Sequence, residues 1–303
     1  MTGEDEFDQL RRGAFAIAYR MLGSVSEAED VVQEGFLRLH RARADGVEIT
    51  SPRAYLSTVV SRLSLDQLRS ARVRRETYVG EWLPEPLVAG AADDPARKAE
   101  MADSLSLAFL VLLERLSPEQ RAAFLLREVF DEPYDRIAQI IGTSEQNARQ
   151  LVTRARRHVD AGRPRFETTR EQREQLATRF FAAAKEGDLE ALEQLLAHDV
   201  MLHGDGGGKA PAVRRALHGR AKVARALIAG LRTGLRSGGF TLRREEINGQ
   251  PGALVVDAEG RLGGVMILDI AEGQIQAVNA IVNPDKLGHL GPLADLSALR
   301  RRR

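Results

Sequence analysis

Residues 133–159 read PYDRIAQIIGTSEQNARQLVTRARRHV. Residues 133–141 and 144–159 each carry apolar side chains at helical spacing. Gly142-Thr143 leaves room only for a tight turn, so the stretch is predicted to be a helix-turn-helix. Gly142 permits the positive backbone angle such a turn needs. Ala138 sits where the helices approach, and Ala148 and Leu151 face inward. Thr143 or Ser144 can cap the second helix, leaving Gln146, Asn147, Arg149, Gln150, Thr153 and Arg154 along its outer side. Between residues 144 and 166, Arg149, Arg154, Arg156, Arg157, Arg163 and Arg165 stand against only Glu145 and Asp160. On a DNA reader the early residues of such a helix meet base edges and later arginines neutralise phosphates. The same pattern also suits an ordinary helical hairpin with a solvated basic face.

Upstream, the chain is helical almost throughout. Residues 7–22 place Leu10, Phe15, Ala18, Tyr19 and Leu22 on one face. Ser26-Glu-Ala-Glu29 reads as a capping box opening a helix to about Arg43. Ser51-Pro52 opens a long helix over residues 52–75, apolar on one side and basic at its end through Arg69, Arg72, Arg74 and Arg75. That end could follow a nucleic-acid backbone or simply complement the helix dipole. Residues 77–95 hold Trp82, Pro84, Pro86, Gly90 and an Asp93-Asp94-Pro95 turn and read as a linker. Two helices follow, over about residues 96–115 and from Ser117, where Ser117-Pro-Glu-Gln120 is a second capping box.

Beyond Pro164 the character changes. Residues 172–184, 188–196 and 219–231 are helical and 200–203 form a short strand. Residues 240–247, 253–258, 262–271 and 275–282 alternate as strands, separated by Asn248-Gly249, Glu259-Gly260 and Glu272-Gly273 turns. This predicts an antiparallel meander with helices on one face, an α+β domain. A length of 303 residues is enough for more than one domain. With no apolar run near a membrane span, membrane transport is excluded and a soluble chain is expected. The absence of cysteine excludes disulfide and thiolate chemistry, and with no secretory start a cytoplasmic location is expected. Lys and Arg total 44 against 43 Asp and Glu, so any nucleic-acid surface must be a local concentration of charge.

Three blocks in order carry a resemblance: residues 30–38, DVVQEGFLR; residues 51–59, SPRAYLSTV, with Asp66 and Arg69; and residues 134–142, YDRIAQIIG, followed by 148–156, ARQLVTRAR. Together they resemble a bacterial extracytoplasmic-function (ECF) sigma factor. The resemblance implies sigma region two over residues 5–76, a linker over 77–103 and region four over 104–160. It implies that Asp30, Gln33, Glu34 and Phe36 dock on the β′ clamp helices of RNA polymerase, whose β subunit is a further partner. Arg53, Ser61, Arg62, Asp66 and Arg69 would lie near the melted minus-ten element of promoter DNA. Asn147, Arg149, Gln150, Thr153, Arg154 and Arg157 would read the minus-35 element. Leu151 stands where many relatives have a basic residue and Asn147 where they have threonine, so no promoter sequence carries over.

Most of that family ends soon after region four, whereas this chain continues for a further domain. Trp82-Leu83-Pro84-Glu85-Pro86, Asp205-Gly206-Gly207-Gly208-Lys209 and Asn283-Pro284-Asp285-Lys286-Leu287 resemble the SigJ-type group, which carries a SnoaL-like domain. That implies a nuclear-transport-factor-2-like, cone-shaped α+β barrel over residues 167–290, followed by a basic tail over 291–303 expected to be disordered. These three motifs would be the interdomain regulatory residues, acting in cis and mainly by inhibition. The glycine run is not a Walker loop, because Gly204 to Lys209 is one residue short and Ala210 follows. Trp82 is expected to dock near the other two motifs, the alternative being that it packs on its own helical domain. No catalytic activity, cofactor or metal is expected. The rival reading makes the extension a small-molecule sensor or residual enzyme, with His198, His203, Asp205, Asp257, Asp269 and Asn279 as candidate pocket residues for a small-molecule ligand.

Overall fold

A computed structural model describes residues 3–88, 106–162 and 168–296. It divides into two compact units, residues 1–77 with 109–163, and residues 78–108 with 164–303. Among the described residues no helix is long and apolar enough to cross a membrane.

The first unit is all helical: α1 (Gly3–Leu22), α2 (Val25–Ala44), α3 (Pro52–Glu76), α4 (Leu107–Leu113), α5 (Pro118–Glu128), α6 (Tyr134–Ile141) and α7 (Glu145–Gly162). Its core is built from Ala18, Tyr19, Leu22, Val31, Leu56 and Val60. Gly35 is bare because a Cβ there would sit 3.0 Å from Val60, which lets α2 and α3 close together. The cap of α2 is Ser24 rather than Ser26, since its hydroxyl accepts from the Glu27 amide. Two serines two residues apart make the sequence ambiguous, and the Ser26 hydroxyl turns to that of Ser24 at 3.1 Å. Ser117 and Gln120 form the expected box on α5. Gly142 ends α6 in the left-handed region at φ 78°, and Ser144 accepts from the Asn147 amide to start α7. The helix expected from residue 96 is seen as α4. Its earlier part, with Gly90, Asp93-Asp94-Pro95, Arg163, Arg165 and the tail from residue 297, lies outside the described residues, as do the side chains of Arg72, Arg74 and Arg75.

The second unit holds the extended residues 78–88, then α8 (Arg170–Glu186), α9 (Leu189–Leu195), β1 (Leu196–Asp205), β2 (Leu217–His218) and α10 (Arg220–Gly238). Four further strands follow, β3 (Thr241–Ile247), β4 (Gln250–Val256), β5 (Leu262–Ala271) and β6 (Gln274–Ile281), and then short 3-10 turns at Pro284–Lys286 and Gly288–Leu290. The sheet order is β2-β1-β6-β5-β4-β3. The meander β3 to β6 is antiparallel as expected, with positive φ at Asn248, Gly249, Glu272 and Gly273 making the two-residue turns that match strand twist. The sheet is not closed, which is consistent with the expected cone-shaped α+β fold, and helices cover one face.

β1 departs from the sequence reading. It runs ten residues instead of four and pairs parallel to β6. A register shift between Leu196 and Met201 leaves His198 and Asp199 exposed, and this breaks the alternation that would have marked the whole strand. Phe180, Phe181, Leu192, Leu202, Leu227, Leu268 and Val278 fill the space between the helices and the sheet. Because strand side chains alternate, His203, Asp269 and Asn279, next in chain to core residues, belong to the other face, and so does Asp205, two residues beyond His203.

Candidate functional site

In the first unit, α7 exposes Asn147, Arg149, Gln150, Thr153, Arg154 and Arg157, while Ala148, Val152, Ala155 and Val159 are buried. Gln146, Arg149, Gln150, Thr153, Arg154 and Arg157 line a shallow groove. Several of these are already engaged. Arg149 pairs with Glu145 at 2.5 Å and lies over the Tyr134 ring at 4.2 Å, and the Asn147 amide donates to Thr143. Gln150, Arg154 and Arg157, at i, i+4 and i+7, share one face.

On α2, Asp30 and Gln33 are exposed, Glu34 pairs with Arg38 at 2.7 Å, and Phe36 meets the Phe7 ring at a centroid distance of 4.8 Å. Phe7 and Leu37 are both exposed, so an apolar patch flanked by acids faces outward there. On α3, Arg53, Arg62, Asp66 and Arg69 are exposed but Ser61 is fully buried, contrary to a residue free to meet DNA. Its stripe of α3 lies under α5 and α6, as shown by the bond from the Ser57 hydroxyl one turn earlier to Glu132 at 3.0 Å.

In the second unit, residues 78–88 lie along the sheet and are held at both ends. Asp205 is completely buried at the end of β1. Its carboxylate accepts from the Tyr78 hydroxyl at 2.5 Å, the Leu83 amide at 2.9 Å, the Gly207 amide at 3.1 Å and the Lys286 ammonium at 2.6 Å. Lys286, also buried, donates to the Leu83 carbonyl and sits 3.9 Å from the Trp82 ring centroid and 5.1 Å from that of Tyr78. Burial and the Asp205 carboxylate hold the Tyr78 hydroxyl well above the usual phenol range, so it remains a donor. Asn283 donates to the Tyr78 oxygen at 2.8 Å, caps the Pro284–Lys286 turn through the Asp285 amide, and so places Lys286. Toward the other end, His289 Nε2 lies 2.8 Å from the Pro86 carbonyl. The Leu87 amide donates to Asn248, whose own amide donates back to the Leu87 carbonyl. Val88 bridges to Ile247. Leu83, Pro84, Glu85 and Pro86 are buried and Trp82 is half-buried.

The glycine run makes this closeness possible. A Cβ on Gly206 would meet the Ala210 carbonyl at 2.3 Å, and one on Gly208 would lie 3.2 Å from Val79. At Gly207 it would meet Asn283 at 2.4 Å, with φ already at +56°. Gly207→Ala is therefore expected to weaken attachment of residues 78–88 by about 2 kcal/mol, read as faster amide exchange in that segment; unchanged exchange would contradict it. Lys209 takes no part in the buried cluster: it pairs on the surface with Asp285 at 2.5 Å. Leu287 is buried behind it in the turn.

The candidate pocket residues converge only in part: His203 pairs in register with Asn279 across β1 and β6 and its charge acts on Asp269, whereas His198 and Asp257 stand apart. His198 is exposed, and Asp257 is tied up in its own turn by Arg261 at 2.7 Å. His203 Nδ1 lies 3.2 Å from Glu81. Burial pushes the Glu81 carboxyl up, but the bond and charge of His203 outweigh it and hold it below the usual range. Burial raises Asp269 despite a bond with Gln250. Among the described residues no group of acids and histidines could hold a metal ion. Sequence reasoning missed Tyr78, Glu81, His203 as its partner, Asn248 and His289. The one available signal was an aromatic residue four positions before Trp82.

Residues 7–74 match the family Sigma-70 region 2 and residues 106–159 the family Sigma-70, region 4. The chain is 41% identical over 290 residues to the ECF RNA polymerase sigma factor SigJ of Mycobacterium tuberculosis, spanning 93% of this chain and 92% of that protein. It is 33% identical to the probable ECF RNA polymerase sigma factor SigI of the same species, over 90% and 91% of the two chains. A crystal structure of Mycobacterium tuberculosis SigJ superposes with a TM-score of 0.77 at 39% identity, covering 96% of this chain and 99% of that one.

Proposed function

Because the chain belongs to the ECF RNA polymerase sigma factors, alternative initiation factors that direct promoter recognition, we propose how its parts divide that work. Helix α7 reads the minus-35 element, with Gln150 on base edges and Arg154 and Arg157 on phosphates. Asn147, Arg149 and Thr153 flank that contact and must first give up their present partners. Helix α3 meets the melted minus-ten element through Arg53, Arg62, Asp66 and Arg69. The patch of Asp30, Gln33, Glu34 and Phe36 docks on the β′ clamp helices of the polymerase.

The SnoaL-like unit regulates this machinery in cis by grasping residues 78–88, the segment that leads from region two toward region four. The observation that carries this reading is the buried Asp205–Lys286 pair closed over by Tyr78, Trp82 and Leu83. A chain segment held by a buried charge pair has few alternative positions, so it limits how far apart the two DNA readers can move. Sensing or catalysis by this unit has less support, because Phe180, Phe181, Leu192 and Leu227 fill the helix side of the sheet and, on its other side, residues 78–88 engage His203 and Asp205.

Run-off transcription with purified core polymerase tests the assignment. The full chain and a version ending at Gly162 should both support initiation, the shorter one several-fold more. Initiation by neither would refute the assignment to promoter recognition, and equal output would refute control by the C-terminal unit.

A further inference from the structure

We infer that the C-terminal unit carries a second DNA-binding surface: a basic stripe over α10 and the loop before it, which holds the sugar-phosphate backbone of duplex DNA without reading its sequence. The stripe shares no residue with α7, and only the choice of partner rests on the promoter role proposed above.

Charge is spread unevenly along the chain. Ten of its 44 Lys and Arg fall in residues 206–244, which hold none of its 43 Asp and Glu. Three of the ten are neutralised by acids outside that run: Lys209 pairs with Asp285, Arg243 with Glu245 and Arg244 with Glu174. Arg214, Arg215, Lys222, Arg225 and Arg232 are exposed, and none of these five makes an ion pair among the described residues.

Helix geometry gathers the last three. At about 100° per residue, Lys222, Arg225 and Arg232 fall within about 80° of one another, opposite the buried Leu227 and Leu231. From first to last they cover about 15 Å, the rise of four to five base pairs at about 3.4 Å each. The exposed residues beside them on that face are Ala221 and Ala229, too short to hold a partner away. A solvated helix face commonly mixes signs four residues apart, as Arg170 and Glu174 do on α8, whereas α10 has no acid at all. Nor do the cations serve the helix itself, since Arg220 and Lys222 stand in its first turn, where the macrodipole disfavours positive charge.

The composition of the stripe selects the partner. Four of its five exposed cations are arginines, whose planar guanidinium engages phosphate oxygens in pairs. No large apolar side chain is exposed from residue 206 to 232, so the stripe lacks the anchors with which a basic helix enters a lipid surface. It also lacks the aromatic anchors of a protein interface, because Phe240, the one Phe, Tyr or Trp of the run, is buried. With no Asn, Gln, Asp or Glu, the run has few means of sorting bases, which leaves the phosphates as the contact.

Full-length protein carrying Lys222→Gln, Arg225→Gln and Arg232→Gln tests this, since all three positions are exposed and the fold should survive. Binding to a random-sequence DNA duplex is followed by fluorescence anisotropy across a salt series. Loss of three phosphate contacts should weaken binding about 10²-fold at moderate salt and reduce the salt slope by about two to three units. Arg11→Gln, Arg12→Gln and Arg43→Gln remove the same charge from exposed positions of the first unit and should leave the slope within about one unit of wild type. An unchanged slope in the stripe variant, or an equal fall in the control, overturns the inference. Tighter binding of the unmodified chain to phosphatidylglycerol vesicles than to the duplex overturns it in favour of a lipid surface. The duplex should also slow amide exchange over residues 220–232 several-fold, and no slowing counts equally against it. Arg154→Ala with Arg157→Ala separates the two surfaces. If that variant alone loses binding, the stripe is refuted and α7 stands; if the stripe variant alone loses it, the phosphate contacts of α7 are refuted and the stripe stands.

Discussion

Asp205→Ala is expected to free residues 78–88 from the sheet. The substitution removes the acceptor for Tyr78, Leu83 and Gly207 and leaves the Lys286 ammonium buried without its carboxylate. Breaking a buried pair from one side costs about 3–5 kcal/mol, because the surviving charge has lost water and gained nothing. On that scale the attachment equilibrium shifts by about 10² to 10⁴. Hydrogen exchange of residues 78–88 should approach that of an unstructured chain, and the single tryptophan, Trp82, should report the change by a red-shifted emission. Asp205→Asn provides the comparison. It keeps an oxygen acceptor and the shape but loses the charge, so it should fall between wild type and alanine. If Asp205→Ala leaves exchange and emission unchanged, the buried pair is not what holds the segment.

The second large effect is on α7. Arg154→Ala combined with Arg157→Ala removes two charges from the face that also presents Gln150, and both residues are exposed, so the fold should survive. Phosphate contacts of this kind set the electrostatic part of binding, and losing two should cut promoter-dependent transcription by about 10²-fold at moderate salt and flatten the salt dependence by about two units of slope. Gln150→Ala should instead relax the preference for particular minus-35 bases with less loss on nonspecific DNA. A double variant with full transcription and the original salt slope would show that α7 does not carry the minus-35 contact.

How far the sequence could be read depended on how local each determinant is. The helix-turn-helix was legible because Gly142, Ser144 and the buried Ala148 act within two turns of one another. The meander was legible for a similar reason, since Asn248-Gly249 and Glu272-Gly273 fix their hairpins alone. The parallel pairing of β1 with β6 was not, because it joins residues more than 70 apart and its strand is interrupted by His198 and Asp199. The three motifs stood out by composition, but what joins them is a carboxylate in Asp205 and an ammonium in Lys286 whose partners are set only in three dimensions. Tyr78 and His289 carry no local mark of their roles. The burial of Ser61 was equally hidden. An exposed helix face and one covered by α5 and α6 have the same sequence when the covering surface is polar.

The most direct measurement is multi-round run-off transcription by purified core RNA polymerase with the full chain and with Asp205→Ala, at matched protein concentrations. Initiation should depend on the added chain and rise several-fold when the buried carboxylate is removed. Equal output from the two proteins, with residues 78–88 verified as released in the variant, would contradict control of promoter use through that grip.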